Sequence, residues 1–263
     1  LAVWRDAAFD NILDVPGVTA LDLDEVLNRV VIGLDPTNFA TLRLSLPRQL
    51  ALLGVDSNAV IFRETRTVLL NAKVASRARS ISTTIAQDVD VLVGGILYST
   101  PVHGCTIGAM VDRNGAPSFL SASHCTNVMF GLDGAVATQA FGGSRRVGAE
   151  TRDPNGYQFG FRVCRGSDAA VIGLDAGVLS QRGLVARTTY RSGPCGSVCA
   201  SGSVYWDSSD PYFYVTDVAS ANYVGDEVQK SGIATGWTYG FVTQTRIDQY
   251  AEDGKVVTCA MQA

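Results

Sequence analysis

The chain has 263 residues, enough for one large domain or two ordinary ones, with 46% hydrophobic and 17% charged residues. A net charge of −4 offers nothing to a phosphate backbone, which excludes nucleic acid as an expected partner. No apolar run approaches the roughly 18 residues of a membrane-spanning helix, so no membrane partner is expected.

The first ninety residues hold no cysteine and most of the helical signal. Val18 to Leu23 and Arg29 to Leu34 alternate loosely around Asp24, Glu25 and Asn28, a pattern that predicts a β-hairpin. Pro47 to Leu53 reads as a short apolar helix stopped by Gly54, and Asp56-Ser57-Asn58 turns into a strand over Ala59 to Phe62. The order is β-β-α-β, a small α+β unit. Arg63 to Asp90 reads as a linker, with a helical tendency at Ala75 to Ala78.

After Asp90 the texture changes. Short runs at Val91-Leu92-Val93, Thr106 to Val111, Ser118 to Leu120, Ala169 to Ile172 and Phe241 to Thr245 are separated by Gly, Asn, Asp and Pro. Regular short strands with turn signals between them point to an all-β sandwich or barrel. The expected boundary lies near residue 90, with units at 1–90 and 91–263.

Three local patterns stand out. In Ser118-Phe119-Leu120-Ser121-Ala122-Ser123-His124-Cys125 a short strand delivers a histidine to its end, and Cys105 lies twenty residues before Cys125. A Cys105–Cys125 disulfide would tie two neighbouring strands and fix the loop that holds His124; a core histidine beside an unrelated cysteine is the blander reading. In Cys164-Arg165-Gly166-Ser167-Asp168-Ala169-Ala170 an aspartate opens an apolar strand. A buried carboxylate there can orient an imidazole and stabilise its cation, whereas a turn-capping aspartate is the commoner case. Gly232, Gly236 and Gly240 with Trp237 suggest a tight hairpin and a packed aromatic.

Together the three resemble the bacterial chymotrypsin-like serine proteases of the streptogrisin and α-lytic protease group. There a C-T-x-G strand precedes T-A-x-H-C, then S-D-A-A, then a G-x-T-T-G-x-T-x-G hairpin. All occur here in that order from about Gly94 onward, with Ser121 in place of the first Thr and Ala234 in place of another. The resemblance implies a mostly β fold, a chymotrypsin-like double β-barrel with its second barrel incomplete, preceded by a small α+β pro-segment-like unit. It implies a secreted, monomeric endopeptidase acting on protein or peptide substrates, with catalytic His124 and Asp168 and no cofactor or metal.

The family's serine lies in G-D-S-G, after a strand ending in cysteine. Val256-Val257-Thr258-Cys259 resembles that strand, but the only Gly-Asp pair, Gly225-Asp226, is followed by Glu227. The expectation is a chain truncated before its nucleophile and inactive as it stands; the alternative is a non-catalytic homologue that binds a partner. Of the remaining cysteines, Cys195 and Cys199 suit a local loop, while the pairing of Cys164 and Cys259 stays open. With two histidines and no C-x-x-C, disulfides are favoured over a metal or redox site.

Overall fold

The computed structural model describes residues 1–24, 27–65, 84–139, 145–190, 202–251 and 255–262. Strands dominate it, as the sequence suggests. The helical tendency expected at 75–78, and both Cys195 and Cys199, lie outside the described residues.

The N-terminal unit has the expected β-β-α-β order with an additional helix in front. Helix α1 (Ala2–Asn11) leads into β1 (Val18–Asp24) and β2 (Arg29–Leu34), which pair antiparallel. Helix α2 (Phe39–Leu52) and a short 3-10 turn then return the chain to β3 (Val60–Glu64), parallel to β2. Helix α2 starts well before the expected Pro47. Proline lacks the N–H that an interior helical residue donates, so it normally marks a first turn. Here Leu42, Leu46 and Leu50, spaced four apart, bury one face on the sheet and hold the helix together across Pro47. Gly54, at φ 73°, ends it in the left-handed region that glycine adopts without strain.

Two seven-stranded sheets organise the described residues. One runs Gly104–Thr106, Leu97–Ser99, Val136–Gln139, Arg145–Arg152, Ala170–Leu174, Ala116–Ser121, Met110–Arg113. Its two outermost strands are consecutive in the chain, joined by residues 107–109 alone, so the sheet has to curl back toward itself. The join is tight: Gly108 donates its N–H to Leu120 O at 2.9 Å, and a Cβ on Gly108 would sit 3.0 Å from that same oxygen. The expected run Thr106 to Val111 is therefore broken at Gly108. Inside the curl, Tyr98 and Phe119 meet edge to face at 4.9 Å among Ile96, Ile107, Val147 and Ile172, all fully buried. Each such side chain contributes about 1.5–3 kcal/mol by leaving water.

The second sheet crosses the boundary expected near residue 90. Its order is Tyr157–Phe159, Arg162–Arg165, Lys255–Gln262, Gln244–Tyr250, β1, β2, β3. Strand β1 pairs antiparallel with Gln244–Tyr250 through Ala20↔Gln249 and Leu21↔Asp248. Where the sequence suggests two bodies in contact, one sheet runs through both, with the N-terminal strands at its margin. They also share a core, in which Cys164 and Val256 pack with Phe9, Ile12, Leu21 and Leu46. Arg162, almost wholly buried, donates to Phe9 O at 2.7 Å and ion-pairs with Asp14 at 3.0 Å.

Among the described residues the other strands form three small sheets rather than a closed second barrel. One is the glycine hairpin, Glu227–Gly232 against Gly236–Phe241, closing at Gly232↔Gly236. Gly236 has φ 63°, and a Cβ there would lie 2.0 Å from Ser203 O, so no other residue fits. Trp237 packs on Phe213 at 5.0 Å between centroids, which makes the hairpin the architectural feature that the glycines suggest.

Candidate active site

Strand register brings His124 and Asp168 together. Ala116–Ser121 and Ala170–Leu174 pair antiparallel with Ser121 opposite Ala170. The residues just after Ser121 and just before Ala170 therefore emerge at the same end of the sheet. Residues Ser123–Cys125 form a single 3-10 turn there, which carries His124.

Three hydrogen bonds fasten that turn to Asp168. The Ser123 N–H donates to Asp168 O at 3.2 Å, and the His124 N–H donates to Asp168 Oδ1 at 3.1 Å. The other carboxylate oxygen, Oδ2, holds Nδ1 of the His124 ring. Both side chains are about four-fifths buried, so the pair has limited access to water. With Nδ1 engaged by the carboxylate, Nε2 is the ring nitrogen left for proton transfer.

Cys105 and Cys125 are joined in a disulfide, their Cα atoms 6.2 Å apart, as the sequence reading expects. The bridge connects the edge strand Gly104–Thr106 to the histidine turn, and Thr100 Oγ1 donates to Cys125 O at 2.8 Å on the same turn. His124 and the two sulfurs come within 4.8 Å of one another. The bridge leaves neither sulfur as a thiolate, so this trio offers a metal only an imidazole. Cys164 is unbridged and buried, and burial pushes its thiol pKa up.

Around the pair lies a polar network that sequence reasoning missed. Ser123, fully buried, donates its hydroxyl to Asp153 Oδ2 at 2.6 Å and accepts the Phe130 N–H at 2.6 Å. Asp153 is ion-paired with Arg165. Arg165 also donates to Pro154 O at 2.7 Å and to the main-chain oxygens of Ser167 and Ala169, while its guanidinium lies 4.6 Å from the Phe130 ring centroid. The available signal was Arg165 itself, a cation set between a buried cysteine and the aspartate motif. Asp153, followed by Pro154-Asn155-Gly156, reads from sequence as an ordinary turn residue.

Deeper in, Tyr98 shares a buried hydrogen bond with Ser121, and its phenol pKa is raised above the ordinary range. Burial is the main cause, opposed by the Ser121 bond and reinforced by the charges of Glu150 and Asp168. A cleft of about 540 Å³ adjoins the disulfide, between Gly104–Gly108 and the hairpin residues Gln229–Thr235. Ser231 lines it with a buried Oγ that lacks a hydrogen-bond partner. Among the described residues no serine hydroxyl is hydrogen-bonded to the His124 ring.

No protein-family model and no curated protein matches the sequence. Among solved structures the chain is similar to an alpha-lytic protease homolog (N4), at 19% identity and TM-score 0.43 over 64% of this chain and 69% of that one. It is similar to the Nocardiopsis protease, NAPase, at 23% identity and TM-score 0.43 over 64% and 68%. Thermobifida fusca protease A follows at 21% identity and TM-score 0.43 over 65% and 69%. All three of these solved structures are proteases by name.

Proposed function

We propose that this chain carries the histidine and aspartate of a secreted, chymotrypsin-like serine endopeptidase, and that the nucleophile is a serine encoded after Ala263. The observation that supports this reading best is the double engagement of Asp168. One carboxylate oxygen takes the His124 main-chain N–H and the other its ring nitrogen, within motifs that occur in the family's order. Asp168 then fixes the imidazole tautomer, His124 takes the serine proton through Nε2 during attack on a peptide carbonyl, and the carboxylate stabilises the resulting imidazolium. The oxyanion hole belongs to the backbone around that serine.

A formed disulfide suits an oxidising, extracellular compartment. In the same reading residues 1–90 serve as a pro-segment, and the mature enzyme acts as a monomer on protein or peptide substrates. The test is to express the coding sequence read on past Ala263 and treat the product with a serine-directed fluorophosphonate. Labelling that His124→Ala abolishes is expected, while residues 1–263 alone stay unlabelled. A stop codon directly after Ala263, or a serine motif that fails to label, would leave the binding homologue as the better description.

A further inference from the structure

His124 and Asp168 sit on separate chain segments, and the same buried ion pair grips both. On one side Arg165 donates to the carbonyls of Ser167 and Ala169, the residues that flank Asp168. On the other side its partner Asp153 accepts the hydroxyl of Ser123, the residue before His124. Asp153 is wholly buried and Arg165 nearly so. The remaining groups facing the pair are also donors or acceptors in use: the Gly131 N–H reaches Asp153 Oδ2 at 3.4 Å, Pro154 O accepts from Arg165 at 2.7 Å, and the Phe130 N–H reaches Ser123 Oγ at 2.6 Å. Neither charged group touches the imidazole or the Asp168 carboxylate.

We propose that Arg165, Asp153 and Ser123 form a positioning relay that sets the separation and angle of the His124–Asp168 pair. The proposal rests on the functional reading above for its catalytic meaning, though its geometry stands apart from it. Arginine suits the role because its planar fork presents five donors in fixed directions. A lysine, as a point charge with rotating donors, cannot hold an aspartate and three carbonyls at once. Serine suits its own position because a single small hydroxyl both donates to Asp153 and accepts from Phe130. The relay acts on the main chain at both ends, so its loss displaces the reacting side chains without removing any reacting atom.

The chain's two histidines make the test direct. The 263-residue protein, labelled with ¹⁵N-histidine, should show a far-downfield proton line from Nδ1–H of His124 bonded to Asp168, which His124→Gln and Asp168→Asn each erase. In Arg165→Lys and Asp153→Asn we expect that line to vanish or its solvent exchange to rise about tenfold, the effect of losing one hydrogen bond of local stability. Cooperative unfolding and the Cys105–Cys125 bridge should persist. Should either charge variant fail to fold, Ser123→Ala carries the test, since it removes one hydroxyl and should likewise make the line vanish or exchange faster. Folded Arg165→Lys and Ser123→Ala proteins with an unchanged line would overturn the relay and leave the protease reading intact. Absence of the line from the unmutated chain would overturn both.

Discussion

Replacing Asp22 with asparagine should stabilise the protein at neutral pH and leave it unchanged in acid. Asp22 lies on β1 with its side chain almost completely buried. One carboxylate oxygen accepts the Gln244 amide N–H at 2.5 Å, and the other has no hydrogen-bond partner. Burial raises its pKa above the ordinary value; the nearby Asp24 charge adds to the rise, while the bond from Gln244, the adjacent Leu23 N–H dipole and the charge of Arg63 oppose it. An acid whose folded pKa is raised binds its proton more tightly in the folded state. It therefore costs nothing below its ordinary pKa, and the cost grows as pH climbs through the raised value. Asparagine keeps an oxygen for Gln244 and removes the charge, although it leaves a neutral amide group where the orphan oxygen was. Exchanging a charged orphan for a neutral one should gain about 1–2 kcal/mol at pH 7. Urea unfolding of both proteins at pH 7.5 and near pH 3.5 measures this directly. An equal gain at both pH values, or a loss at pH 7.5, would show that Asp22 is not a strained carboxylate.

Arg162→Met should cost about 2–3 kcal/mol by urea unfolding, because it strands the carbonyl of Phe9 and ends the stacking of the guanidinium on Phe9 at 4.6 Å; Asp14, 40% exposed, can rehydrate and so limits the loss. The same variant should speed amide exchange in α1 and β1 ahead of the curled sheet. Replacing Cys105 and Cys125 together with serine opens a loop of 20 residues and should lower stability by about 3 kcal/mol on the chain-entropy account. Tyr98 should stay protonated in the folded protein as pH rises past 10, so ultraviolet titration should show its ionisation only with unfolding, and Tyr98→Phe should blunt that alkaline transition.

Much of this arrangement was legible because its signals are local. The alternation in β1 and β2, the glycine after α2 and the strand before His124 each occupy a few adjacent residues. His124 and Asp168 were legible as motifs, and Ser121 opposite Ala170 is the physical reason those motifs converge. The rest depends on partners that no local window contains. Arg165 looks like a solvated cation until Asp153, twelve residues away, is folded against it. Pro47 hid the first half of α2 because backbone preference opposes a helix there, and the buried leucine face outweighs it. The shared sheet was the least legible feature, since β1 finds its neighbour more than two hundred residues further along.

That shared sheet shapes what separation of the N-terminal unit would entail. Parting the two halves means opening a line of main-chain hydrogen bonds beside a common apolar core, an event closer to partial unfolding than to undocking. Strand Gln244–Tyr250 would emerge with its N–H and C=O groups facing water on one side, a template for any strand nearby. Cys164, now packed beside Phe9 and Ile12, would lose that apolar cover at the same moment. A chain of this build that shed its first segment would inherit a raw edge, and its solubility afterwards would depend on how quickly something else pairs with it.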